Sequence, residues 1–249
     1  MTKFFDRRML ALWLGLLLAL LLALSLVLPV LGEAPAFAPA NELERRRQAL
    51  YGFLDSAFSV EFGNNGRNFM LRWNKPVTVS LEGDYTPEDE AFFDAFINGF
   101  DQKMQEYGAK AFPGISRVDS PEKARVRVIY CKLDEMEQYM EFYEPDNWGL
   151  FEYWYDNGVM TRGTVTIATD VTKPAQRNHL LMEELVGTLG LTNDIYTYSD
   201  SIVYQPWTET QQLSDMDWLM LSYLYSSRTK PGMSSVKAYE ALLPTLGAD

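Results

Sequence analysis

The chain has 249 residues, 47% hydrophobic and 22% charged, enough apolar material for one well-buried core. Its 34 acidic against 22 basic residues leave a net charge of −12, which argues against nucleic acid and anionic lipid headgroups as partners. A solvated acidic surface accounts for that balance, and cation binding is compatible with it. Cys131 is the only cysteine, so there is no disulfide framework. Its place at the end of an apolar alternating run predicts a buried small hydrophobe.

From the N-terminus, residues 9–31 carry no charge and follow Lys3, Arg7 and Arg8. At 1.5 Å per residue the run covers about 34 Å, enough to span a hydrocarbon core of ~30 Å and longer than the ~7–15 residues of a secretory h-region. It is apolar on every face, unlike a buried amphipathic helix. The basic flank puts residues 1–8 in the cytoplasm, 9–31 in the membrane as a single-pass anchor or signal segment, 32–40 in a short semi-extended linker and 41–249 outside. Ala38-Pro39-Ala40 keeps the alternative open, secretion after cleavage near Ala40.

Asn41 as N-cap with Glu44 three residues on predicts a helix, with Arg45-Arg46-Arg47 as a solvated face. Gly63-Asn64-Asn65-Gly66 reads as a turn, and Phe69–Trp73 and Val77–Leu81 as strands. Thr86-Pro87-Glu88-Asp89 opens a helix: threonine caps it, proline suits its first turn, and the acids face the positive end of its dipole. Phe92, Phe93, Phe96, Ile97 and Phe100 recur at helical spacing and mark its core side. Val118 and Ala124–Cys131 read as the next strand-pair region, and Glu135–Met140 as a short helix-prone stretch. Residues 142–155 hold seven aromatics, and Asp146-Asn147-Trp148-Gly149 is a turn tip that points to Trp148 as the exposed ring, a possible ligand-binding platform. The alternative is that alternate rings of this block fill a sheet face. A long alternating strand follows over 159–169, and Lys173-Pro174 starts the next helix.

On that helix Leu181, Met182, Leu185, Val186 and Leu189 share one broad face. His179, Glu183, Gly187 and Gly190 form a separate line, with Glu184 to one side. A mid-helix glycine costs about 1 kcal/mol against alanine, so Gly187 needs a reason. Either a neighbouring backbone packs closely there, or the line borders a cleft that admits a partner. Gly190 is the natural residue to stop the helix, and Asn193-Asp194 is a turn pair. His179 is the only histidine and stands four residues from Glu183, so both could touch one ion. A solvated helix face explains Glu183 and Glu184 equally well.

Residues 183–194, EELVGTLGLTND, resemble the metzincin zinc-protease pattern HExxHxxGLxH. The frame puts Glu184 at the general-base position, Gly190 and Leu191 at the turn, and Glu183, Gly187 and Asn193 where three histidines would stand. Ser201-Ile202-Val203-Tyr204 resembles the Met-turn with valine for methionine. Leu213-Ser214-Asp215-Met216-Asp217, then Leu221, Leu224 and Tyr225, resemble the final helix. With the closing Lys230-Pro231-Gly232-Met233, the stretch over roughly 70–235 is similar to a bacterial family known as domain of unknown function 2927. The resemblance implies an α+β, zincin-like domain: one twisted mixed sheet, a motif-bearing helix and C-terminal helices, behind an N-terminal membrane helix. It implies a cleft bordered by Glu183, Glu184, Gly187, Gly190, Asn193, Asp194, Ser201 and Tyr204, with the motif helix beneath the 201–204 turn.

Catalytic zinc takes three imidazole or carboxylate ligands and an open position. Gly187 has no side chain and Asn193 is a neutral amide, so no cofactor is expected, with His179 and Glu183 as the residual metal candidates. The expected function is a membrane-anchored, non-catalytic module outside a bacterial cytoplasmic membrane that binds a peptide, cell-wall component or partner protein. The alternative is a hydrolase using Glu184 as general base with a non-standard metal site.

Overall fold

Residues 35–59 and 67–247 are described by the computed structural model, so the apolar run 9–31 and the turn expected at 63–66 lie outside the described residues. Pro35–Asp249 forms one compact unit. Among the described residues no helix is long and apolar enough to cross a membrane.

Helix α1 spans Glu42–Phe58. Asn41 accepts from the Glu44 amide at 2.9 Å, while the Glu44 carboxylate reaches back to the Ala40 amide at 3.0 Å. Arg47 is exposed as expected, but Arg45 and Arg46 are engaged with other elements. Arg45 forks onto Asp215 at 2.5 and 2.6 Å, and Arg46 reaches the Thr245 carbonyl. Residues 35–40 of the expected linker also touch the domain. The Phe37 amide donates to Asp200 at 2.8 Å, and its ring meets Tyr198 edge-on.

Strand β1 is Val77–Gly83, and helix α2, Pro87–Glu106, begins with the reciprocal Thr86–Asp89 capping box expected of it. Phe93, Ile97 and Phe100 are buried, with Phe92 and Phe96 packed beside them. Strands β2, Ile115–Arg117, and β3, Val126–Cys131, do not pair with each other. They flank β1 on opposite sides, both parallel to it. A short 3-10 turn over Leu133–Gln138 precedes β4, Gly149–Asp156, and β5, Val159–Ala168. The five-stranded mixed sheet runs β2-β1-β3-β5-β4, with β4 antiparallel at one edge. Phe69–Trp73 adds no strand. Met70 pairs with the Gly232–Met233 loop instead, and Arg72 makes only an isolated bridge to Val159.

Helices α3, Pro174–Leu189, α4, Asp215–Leu224, and α5, Ser235–Leu242, complete the fold; α5 is an element the sequence pattern did not announce. α3 lies on β4 and β5, α2 packs against α3, and α1 packs against α4 and α5. Alternation divides β3 between two cores: Val126, Val128 and Tyr130 join the main one, and Ile129 and Cys131 a smaller one with Met136, Met140 and Leu150. Cys131 is buried as expected, its thiol pushed up to about 12 by desolvation.

Candidate functional site: a cleft between α3 and the edge strand

Lys173-Pro174 starts α3, with the Gln176 side chain accepting the Lys173 amide at 2.9 Å. Gly190 ends it at φ 121°, where a Cβ would fall 2.4 Å from the Leu71 carbonyl oxygen. Leu181, Met182, Leu185, Val186 and Leu189 are buried in the main core, as their spacing requires. The helix therefore turns Leu180, Glu183, Glu184 and Gly187 toward β4.

Two glycines let the helix and strand close on each other. A Cβ on Gly187 would come within 2.7 Å of the Phe151 ring, so the space above Gly187 is filled by an aromatic side chain. Neither account of Gly187 drawn from the sequence is quite right: the close neighbour is a side chain and not backbone, and the residue itself is covered. A Cβ on Gly149 would stand 2.5 Å from the Glu184 carboxylate and 2.8 Å from Leu180. Glu184 thus lies over the start of β4, with only 7% of its surface exposed.

Beyond this contact a cleft of about 420 Å³ opens, lined by the 146–151 run into β4, by Gln176, Leu180, Glu183 and Glu184 of α3, and by Leu191, Asp194, Val203, Gln205 and Trp207. Val203 of the 201–204 turn lines the same cleft as Glu183 and Glu184. The turn is held from below by Asp217, the third residue of α4. Its carboxylate accepts from the Ser201 hydroxyl at 2.5 Å, the Ile202 amide at 3.0 Å and the Ser214 amide at 2.7 Å. Burial pushes Asp217 up to about 6, against the pull of those donors. Loop 194–205 is pinned to the turn by Ile195 N–H donating to the Val203 carbonyl at 2.8 Å.

Of the residues singled out in the sequence, Glu183, Glu184, Asp194 and Trp148 line the cleft. Gly187 lies beneath Phe151, and Gly190 serves as the helix stop. The Asn193 amide donates to the Asp194 carbonyl at 2.7 Å, Ser201 is fully buried on Asp217, and Tyr204 is buried. Trp148 is half-buried and packs edge-on against Trp207, centroids 5.5 Å apart. Phe142, 80% exposed, and Tyr155 are the open rings of the aromatic block, not Trp148. Phe151 and Tyr153 stack on the helix side of the sheet, so alternate rings do fill that face. Phe151, Gly149 and Trp207 were not anticipated. The alternation of β4 was the available signal for the first two; Trp207 sits in a loop without one.

His179 is 2% exposed, and its Nδ1 lies 3.1 Å from the Thr210 carbonyl. A carbonyl only accepts, so Nδ1 carries a hydrogen, and Nε2 lies 3.5 Å from the Glu183 carboxylate. Burial holds this imidazole below its ordinary value, only partly offset by Thr210. The pair offers two donors to an ion. Among the described residues no group of three or more His, Cys, Asp or Glu side chains is placed to hold a metal. Asp194, partly buried in the cleft wall, is pushed up to about 6 by desolvation.

A family model described as "Protein of unknown function (DUF2927)" matches residues 46–244. No curated protein matches the chain.

Proposed function

The chain belongs to the DUF2927 family, and from its cleft we propose a non-catalytic module, anchored outside a bacterial cytoplasmic membrane through residues 9–31, that binds an extended peptide of a wall component or partner protein. The observation that carries this is the outer edge of β4, which pairs with no further strand among the described residues. Ala168 N–H donates to the Trp148 carbonyl at 2.8 Å, and Leu150 stands opposite Thr166. In an antiparallel ladder, paired residues alternate with residues whose backbone groups point away. Trp148, Leu150 and Glu152 therefore spend theirs on β5, while Gly149 and Phe151 direct N–H and C=O outward into the cleft wall. Such an edge accepts an added strand, with side-chain pockets supplying selectivity.

The Phe151 ring supports the non-catalytic reading. It fills the space over Gly187, where the metzincin-like frame would seat a second imidazole ligand. Hydrocarbon in that space offers no ligand and leaves no room for one. The hydrolase alternative rests on Glu184 with His179 and Glu183 as ion ligands, and the 3.5 Å separation of that pair is what favours it.

Peptides selected for binding to the full chain, then N-methylated at every second residue, test the proposal. Methylation in one parity should abolish binding and in the other leave it intact, because only alternate amides face the β4 edge. Equal tolerance in both parities contradicts strand addition. Chelator-sensitive hydrolysis of such a peptide, lost in Glu184→Gln, would establish the alternative instead.

A further inference from the structure

The walls of the cleft narrow the choice of peptide. Asp146, Glu183, Glu184 and Asp194 all line it, and among the described residues no lysine or arginine does. The nearest guanidinium on α3, Arg177, is committed to Asp89 at 2.8 Å on the far side of the helix start. Trp148 and Trp207 meet at 76°, two flat walls set as a corner, and Trp207 keeps 49% of its surface open. Among the described residues, the Asp194 carboxylate has no hydrogen bond or ion pair although it is half-buried in the wall. An aromatic corner in the same cleft as carboxylates attracts a cation through the ring quadrupoles and the field together, and repels phosphates and acidic side chains.

We propose that the cleft is a recognition pocket for a lysine or arginine side chain of the peptide laid along β4, its cation held between the Trp148–Trp207 corner and the carboxylates of Glu183 and Asp194. This rests on the strand-addition reading above and adds the substrate class. The apolar stem of such a side chain suits Leu180, Leu191 and Val203, which lie in the same lining.

The test uses the full chain in detergent and three probes: a peptide with one central lysine, the same peptide with norleucine there, and the diamine cadaverine. Expected is binding of the lysine peptide about tenfold or more tighter than the norleucine peptide. That preference should shrink with salt and disappear in Asp194→Asn with Glu183→Gln, variants that keep shape and are checked for folding by thermal melting. Equal binding of the two peptides overturns the cationic pocket and leaves strand addition standing. Cadaverine binding as well as the lysine peptide overturns strand addition and leaves the cationic pocket. Binding of none of the three overturns both.

Discussion

Gly187 and Asp194 show how single residues trade stability for the shape of the cleft. Glycine to alanine inside a helix ordinarily stabilises by about 1 kcal/mol. At Gly187 the added methyl would sit 2.7 Å from the Phe151 ring, and overpacking of that kind costs about 1–3 kcal/mol. Gly187→Ala is therefore expected to destabilise by up to about 2 kcal/mol in chemical denaturation, with the loss relieved when Phe151 is also shortened to leucine. A stabilised Gly187→Ala would mean that the ring does not lie there. Asp194 carries a cost of another kind. Its folded value, about 6, lies above its ordinary 3.8, so its favourable contribution is complete below that ordinary value and lost as pH rises through about 6. Above that pH the cleft holds an ionised, desolvated carboxylate beside Glu183, Glu184 and Asp146. Asp194→Asn should stabilise the chain by an order of 1–3 kcal/mol at pH 7.5, with the gain vanishing at pH 4. Melting temperatures across that range check it, and a pH-independent difference contradicts it.

Between elements, polar ties fix where the cleft walls stand. Asp89, fully buried, caps α2 through Thr86 and binds Arg177 in the first turn of α3 at 2.8 Å. Desolvation pushes its carboxyl upward, but Arg177 and Thr86 outweigh it and hold Asp89 below its ordinary value. Its contribution is thus present above the unfolded value of 3.8 and lost as pH falls through the lowered folded one. Removing one partner of a buried pair strands the other, so Arg177→Met should cost about 3–5 kcal/mol in denaturant titration. A loss below 1 kcal/mol would show that the tie does not hold α2 to α3. Elements marked by local signals were legible in the sequence: the Thr86 cap, the Gly190 stop, the alternation of β5 and the core face of α3 each depend on near neighbours. Contacts across the chain were not. That Phe151 covers Gly187 depends on which edge of the sheet β4 occupies, and no periodicity states it. The Asp217 tie to Ser201 links a helix cap to a turn, and the cap signature alone does not say what else the carboxylate holds. Phe69–Trp73 misled because its apolar composition suits a strand, whereas its backbone bonds go to the 232–233 loop and to a single bridge between Arg72 and Val159.

For the whole molecule, the mixed five-stranded sheet with helices agrees with the α+β class read from the order of elements. The site was half legible: Glu183, Glu184, Asp194 and Trp148 do meet in one cleft, whereas His179, Gly187 and Asn193 are absorbed into packing and turns. The anchor proposal carries its own expectation. Full-length chain should remain in the membrane pellet after carbonate extraction, because an uncharged run of about 34 Å is long enough to span the bilayer. A mature form beginning at Asn41 in the medium would replace the anchor with a cleaved signal. The central claim, that the edge of β4 receives a peptide strand, is tested most directly by amide hydrogen exchange of the full chain with and without a saturating lysine-bearing peptide. Strand addition predicts slowed exchange at the Gly149 and Phe151 amides, with Leu150, already paired to β5, unchanged. Unaltered exchange at Gly149 and Phe151 in a chain shown to have bound the peptide would contradict it.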